Sequence, residues 1–393
     1  MAVAGFEKLD GLCREAIRTR ITPGLAILAA DAGVRRVEAA WGDAQLIPCV
    51  VPASMQTIYD VASLTKAVST SVLAMQMVAR GALTLDVPVS AILPEFGGPG
   101  RDAVSVRQLL SHSAGLPAHR PFYENVADSF RGIDAAPSRA IFERNRRYIE
   151  EACAREPFAY APGARSLYTD LGFVVLGSIL ERLAGARLAT QFDAQIARPL
   201  GLRVSGFVDL SDGIEPRARI LETGTVAATE DCPVRGRIAV GEVHDLNAYA
   251  MGGIAGHAGL FSTAEELGKI AEALVMDWQG GYAKTRLVSR DVVREFWQSA
   301  GIPGSTWRLG WDGPAPDGSQ AGEKLSRHAV GHLGFTGCSL WIDPERARWI
   351  VVMSNRIHPA VPRDSRFRGL RPALHDAIVE AFSATPDKPD KTR

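Results

Sequence analysis

The sequence predicts an α+β protein: one antiparallel sheet flanked by helices, with an inserted mainly helical domain. Three observations carry this reading. Strand-like segments and a helix stand at both ends of the 393-residue chain, the middle is mainly helical, and no internal repeat is evident. The sheet domain is expected from residues 1–60 and 250–383, the helical domain from 61–249 with Ser63 at the interface, and a disordered tail from the Pro, Asp and Lys content of 384–393.

Apolar residues at helical spacing predict a first helix over Phe6 to Arg18, ending before Pro23-Gly24. Leu25 to Ala30 and Arg35 to Trp41 then flank Asp31-Ala32-Gly33 as a hairpin. An apolar helix carrying Ser63 follows and stops near Gly81, a residue suited to the left-handed position after a helix end. Short helices and loops continue through Val104 to Leu110 and Ser111 to Pro117. The charged stretch 121–155 reads as a solvated excursion with a helix over Ser138 to Ala154. Pro162-Gly163 marks a turn before Tyr168-Thr169-Asp170 and an apolar helix over Leu171 to Leu183. Val204 to Asp245 lacks periodicity, and a loop of that length is uncommon unless it covers a site. Ser262-Thr263-Ala264-Glu265 has the form of a capping box for a helix up to Val275. Strands are expected at Trp307 to Trp311, Ala329 to His332, Cys338 to Ile342 and Trp349 to Ser354, then a closing helix over Arg371 to Phe382.

Composition excludes several classes. Lys plus Arg and Asp plus Glu both number 44, so no net field recommends nucleic acid or an anionic membrane as partner. The five cysteines are scattered and never form Cys-x-x-Cys, which argues for buried thiols in a reducing compartment. The N-terminus lacks the uninterrupted apolar core of a signal peptide, and no stretch is long and apolar enough for a membrane span. A cytoplasmic location is therefore expected. No phosphate loop, His-Glu-x-x-His or Gly-x-Ser-x-Gly appears, which disfavours nucleotide chemistry, catalytic zinc and an α/β-hydrolase. Neither cofactor nor metal is expected.

The chemistry centres on Lys66, the sole charge between Val61 and Ala79. A lone ammonium in such a setting reaches water, is paired, or is held for chemistry. Ser63, three residues earlier, places a hydroxyl beside it. A serine nucleophile needs a proton acceptor, and its reaction needs donors for a developing oxyanion. Tyr168 offers a phenol that relays protons, and His332-Leu333-Gly334-Phe335-Thr336-Gly337 offers a polar residue on a strand edge followed by glycines.

In this order, the three segments resemble the serine penicillin-recognising superfamily, most closely its class C branch of β-lactamases, DD-peptidases and carboxylesterases. Leu109 to Leu116, Leu171 to Gly177 and Gly259 to Ala264 look like further stretches of that family, so the likeness runs from Pro23-Gly24 to Asn355. The resemblance implies a β-lactamase/transpeptidase-like fold and a serine hydrolase. Ser63 is then the acylated nucleophile, Lys66 its activating base or electrostatic partner, and Tyr168 the proton shuttle. His332 stands where many members carry the Lys of Lys-Thr-Gly, and the N–H groups of Ser63 and Phe335 form the oxyanion hole beside Gly334. Asp170 replaces the family's usual Asn and is expected to pair with Lys66; Leu333 replaces a Thr that helps bind the substrate carboxylate. Both departures disfavour efficient β-lactam hydrolysis, and the apolar Leu333 favours an uncharged acyl group, which suits an esterase; the partner that the resemblance implies is a small-molecule ester, amide or short peptide. β-Lactamase or D-amino-acid peptidase activity, and a non-catalytic binding protein, remain the alternatives. Whether His244 and His257 line the cleft is left open by the sequence.

Overall fold

The computed structural model describes residues 4–129, 137–212, 220–281 and 285–384. Its main sheet has six antiparallel strands: β1 (Gly24–Asp31), β2 (Val34–Gln45), β3 (Val51–Pro52), β4 (Val330–Leu333), β5 (Ser339–Asp343) and β6 (Arg348–Ser354). They lie in the order β3-β2-β1-β6-β5-β4. Strands from the two ends of the chain meet at the centre, where the register runs from Leu25 opposite Ser354 to Ala30 opposite Trp349.

The longer helices are α1 (Ala4–Arg18), α2 (Val72–Ala79), α3 (Arg139–Arg155), α4 (Leu171–Ala184), α5 (Ala264–Gln279) and α6 (Arg366–Ala384). Successive strand side chains point to opposite faces, and both faces of the central pair are covered. Leu25, Ile27, Ile350 and Val352 pack with Leu9 and Cys13 of α1 and Leu374 and Ile378 of α6. The alternate set, Ala26, Leu28, Val351 and Met353, joins a second core with Leu267 and Leu274 of α5 and continues into Leu73 of α2 and Phe173 of α4. This is why β1 and β6 read as continuous apolar runs rather than as alternating ones. Tyr59–Asp60, Leu260–Ser262 and Gly206–Phe207 form a separate three-stranded sheet leading into the Ser63 turn.

Several expectations need correction. Residues 307–311 form no strand: Gly310 takes φ +79°, and a Cβ there would fall 1.8 Å from Ser71 Oγ, so the chain bends against the core instead of extending. The cap of α5 is Thr263, whose side chain accepts from Glu266 N–H, one residue later than the Ser262 pattern suggested. Glu266 spends its carboxylate on the N–H groups of Arg203 and Ser205. The closing helix starts at Arg366, before Pro372, because that ring sits inside it rather than ending it. Ser63 occupies the turn before its helix rather than the helix proper; the helix opens at Leu64, and Lys66–Ser71 are wound as π-turns. Cys49 is exposed, whereas Cys13, Cys153, Cys232 and Cys338 are buried, all as free thiols. Of the tail 384–393, Ala384 closes α6 and 385–393 lie outside the described residues.

Candidate active site

Ser63 is presented by a strained turn. Ala62 adopts φ +48°, a left-handed conformation that costs a non-glycine residue on the order of 1–2 kcal/mol and persists only where its surroundings fix it. Here Asp60 Oδ1 accepts from Ala62 N–H at 2.8 Å, and Thr65 Oγ1 donates to Ala62 O at 2.6 Å. The following π-turn, a feature frequent at functional sites, is held by Ser71 Oγ donating to Lys66 O.

Lys66 is fully buried and triply committed. Its Nζ donates to Ser63 Oγ at 3.0 Å, Asp170 Oδ1 at 2.8 Å and His257 O at 3.0 Å. The ammonium also lies 5.0 Å from the Tyr168 ring centroid. Burial is the largest influence and would lower its pKa, but the Asp170 carboxylate and the Tyr168 oxygen together outweigh it and the net shift is upward. Asp170 is correspondingly held well below the usual carboxylate range by Lys66, against its own burial. Its Oδ2 meets His119 Nδ1 at 3.2 Å, a bond that raises the His119 pKa. Tyr168 OH donates to Ser63 Oγ at 2.8 Å, and burial pushes its phenol upward. Two donors from different elements thus converge on one serine oxygen.

His332 lies on β4, at the sheet edge, buried among Tyr168 and Trp307 at centroid distances of 5.9 and 5.6 Å. Burial and the Lys66 charge lower its pKa to about 3, so the imidazole is neutral at physiological pH. Its Nδ1 meets Leu333 O at 2.9 Å, while Nε2 has no partner among the described residues. After β4 the chain turns through Gly334, whose N–H donates to Cys338 O. A Cβ at Gly334 would lie 2.7 Å from Val61 O, so glycine lets this turn rest on the nucleophile turn. In these turns Leu64 bonds to Val61 O and Gly337 to Gly334 O, which leaves the Ser63 and Phe335 N–H groups outside the ladder among the described residues.

All seven residues singled out in the sequence come together around these two turns, and all but the buried Lys66 line a cleft of about 680 Å³. His244 and His257 line it too. The His244 ring stacks on Phe335 at 5.4 Å and lies 3.2 Å from Glu230 Oε1; His257 Nε2 meets Asp245 Oδ1 at 2.9 Å. Sequence reasoning missed His119, Tyr123, Glu230, Trp307, Arg356 and Arg371, which share the cleft. Glu230 falls in the long segment 204–245, which also brings His244 and Asp245 to the cleft; no local pattern marks the other five. Among the described residues no group of three or more His, Cys, Asp or Glu side chains is placed to hold a metal ion. Among the described residues no helix is long and apolar enough to cross a membrane.

Comparison with known proteins agrees with this geometry. A protein from Escherichia coli (strain K12) named "Putative D-alanyl-D-alanine carboxypeptidase" is 31% identical over 342 residues, 82% of this chain and 76% of the relative. A protein of the same name from Salmonella agona is 29% identical, covering 91% of this chain and 84% of its own. Among solved structures, the octameric penicillin-binding protein homologue from Pyrococcus abyssi superposes with TM-score 0.70 at 23% identity, covering 96% of this chain and 77% of that one. EstCE1, a hydrolase with promiscuous acyltransferase activity, gives 0.69 at 22%, covering 95% and 98%. These two establish the fold, a β-lactamase/transpeptidase-like α+β architecture. A family model described as Beta-lactamase matches residues 9–375, and with that span the chain belongs to the Beta-lactamase family, as a serine hydrolase.

Proposed function

We propose that the protein cleaves an ester or amide through an acyl-enzyme on Ser63, with carboxylesterase-like preference. The observation that carries the reading is the convergence of Lys66 Nζ and Tyr168 OH on Ser63 Oγ at 3.0 and 2.8 Å. In acylation Ser63 Oγ bonds to the acyl carbon, and its proton passes through the Lys66–Tyr168 pair to the departing oxygen or nitrogen. In deacylation water adds to the acyl carbon and its proton returns by the same route to Ser63. The N–H groups of Ser63 and Phe335 receive the oxyanion in both steps.

The acyl preference rests on the strand edge. With His332 neutral and Leu333 apolar, this edge offers neither the cation nor the hydroxyl that would hold a carboxylate. Trp307 and Phe335 add aromatic surface, Phe335 being half exposed. A second reading, a D-amino-acid peptidase, is favoured by the names of the relatives and by Arg356 and Arg371, two guanidinium groups at the same cleft. A hydrolysis panel separates them. Turnover of a p-nitrophenyl ester above that of nitrocefin and of a D-Ala-D-Ala peptide supports the esterase; the reverse order for the peptide transfers the assignment. Full turnover by Ser63→Ala would defeat both readings.

A further inference from the structure

Asp60 is a buried carboxylate that the chemistry above does not use. Its two oxygens are divided between two segments: Oδ1 accepts from Ala62 N–H at 2.8 Å and Oδ2 from His244 N–H at 2.7 Å. Its backbone oxygen serves a third, accepting from Thr336 Oγ1 at 2.8 Å. Each bond lands next to one part of the oxyanion hole. Ala62 immediately precedes Ser63 and holds the left-handed φ of +48° that aims it. Thr336 immediately follows Phe335, and the His244 ring stacks on the Phe335 side chain at 5.4 Å. The two turns also touch directly, since the missing Cβ of Gly334 would sit 2.7 Å from Val61 O.

The geometry points to Asp60 as a positioning residue that holds the two halves of the oxyanion hole in register, an inference that rests on the acyl-enzyme reading above. Oxyanion donors act through distance. They must lie about 2.7–3.1 Å from the oxyanion, and a displacement of about 1 Å can cost on the order of a hundredfold in rate. Two N–H groups contributed by segments some 270 residues apart in sequence have no covalent reason to stay aligned, whereas one residue bonded to both sides supplies such a reason. Asp60 itself is anchored by pairing opposite Phe261 in the small sheet, so the alignment is referred to a rigid element.

Asp60→Asn is the test. The amide retains one acceptor and turns an NH2 toward the second N–H, so either Ala62 or His244 loses its partner. Two readouts are compared with the wild type well below the melting temperature: kcat and KM on a p-nitrophenyl ester, and affinity for an arylboronic acid, which forms a tetrahedral adduct on serine and needs the hole. The expected result is a fall in kcat of about tenfold to a hundredfold with KM changed less than about threefold, and a parallel loss in boronate affinity. Thr336→Val, which removes only the third tie, should show the same split at about threefold to tenfold. A lowered melting temperature with kcat and boronate affinity both within twofold of wild type would mean that Asp60 is merely structural, and overturns the inference. If Asp60→Asn does not fold, Thr336→Val decides by the same criterion. Covalent labelling of wild-type Ser63 by a fluorophosphonate keeps the two levels apart. Labelled wild type with an unaffected variant sinks the Asp60 role alone, whereas unreactive wild type sinks the acyl-enzyme reading and this inference with it.

Discussion

Asp170 Oδ1 lies 2.8 Å from the same Lys66 Nζ that donates to Ser63 Oγ at 3.0 Å, so one buried ammonium bridges the carboxylate and the nucleophile. The pairing raises Lys66 and depresses Asp170. A raised lysine is charged at neutral pH and becomes available as a base only as pH climbs. The ascending limb of kcat/KM should therefore lie above neutral pH and belong to the Lys66–Tyr168 pair rather than to either group.

Asp170→Asn removes the anion that contributes most to offsetting burial at Lys66, and the Lys66 pKa must then fall. The pH–kcat/KM profile should move to lower pH by about one unit or more, with lower stability because a buried charge loses its partner, at a cost of roughly 3–5 kcal/mol. An unmoved profile would show that Lys66 does not set the limb.

Tyr168 contributes the second donor to Ser63 Oγ. Tyr168→Phe keeps the ring packing with His112 and Trp307 at 4.9 and 5.4 Å and deletes only the hydroxyl. Loss of a positioned proton carrier should cut kcat by about a hundredfold or more while KM stays nearly constant. Stopped-flow and steady-state ester hydrolysis read this directly; a kcat within threefold of wild type would remove Tyr168 from the proton path.

Leu333 tests acyl preference. Leu333→Thr places a hydroxyl beside the neutral His332 and should raise the nitrocefin-to-ester ratio of kcat/KM by about tenfold, the scale of one hydrogen bond to a charged group. An unchanged ratio would mean that the strand edge does not select the acyl group.

The chemistry was more legible in sequence than its support. Ser63, Lys66 and Tyr168 could be singled out because a hydroxyl and an amine sit one turn apart in an otherwise uncharged run, and because the segments in order resemble those of a known family. Asp60, Arg371 and His119 could not, because their partners are set by loops that close over long sequence separations, as when Thr336 reaches Asp60 O. The central strands were found because two-faced burial makes them uniformly apolar. Residues 307–311 misled for a related reason: Trp307, Leu309 and Trp311 alternate like a strand, yet they pack around a left-handed Gly310. The start of α6 lies five residues before the expected one: Pro372 is its seventh residue, past the first turn where a missing N–H is free of cost, so the helix gives up one backbone bond there and continues through it.

Acid stability offers a test away from the catalytic groups. His375 is buried on the opposite side of the sheet, where Ser339 Oγ meets Nε2 at 2.9 Å and Gln320 O meets Nδ1 at 2.9 Å. Burial and the nearby Arg371 charge lower its pKa to about 3, and burial with the Lys66 charge lowers His332 to the same value and depresses His112 in the same sense. The unfolded chain takes up protons at these histidines near pH 6.5, whereas the folded protein does not until about 3 at His375 and His332. The unfolded state thus binds more protons across that window, and stability must fall as pH drops through it, by up to about 1.4 kcal/mol per pH unit for each such histidine. Urea unfolding from pH 7 to pH 4 should show this slope. His375→Gln retains a hydrogen-bonding side chain but cannot titrate, so its slope should be shallower by one proton while ester turnover at pH 7 is unchanged. Parallel slopes for variant and wild type would show that His375 is already protonated in the folded state, and that burial does not hold it neutral.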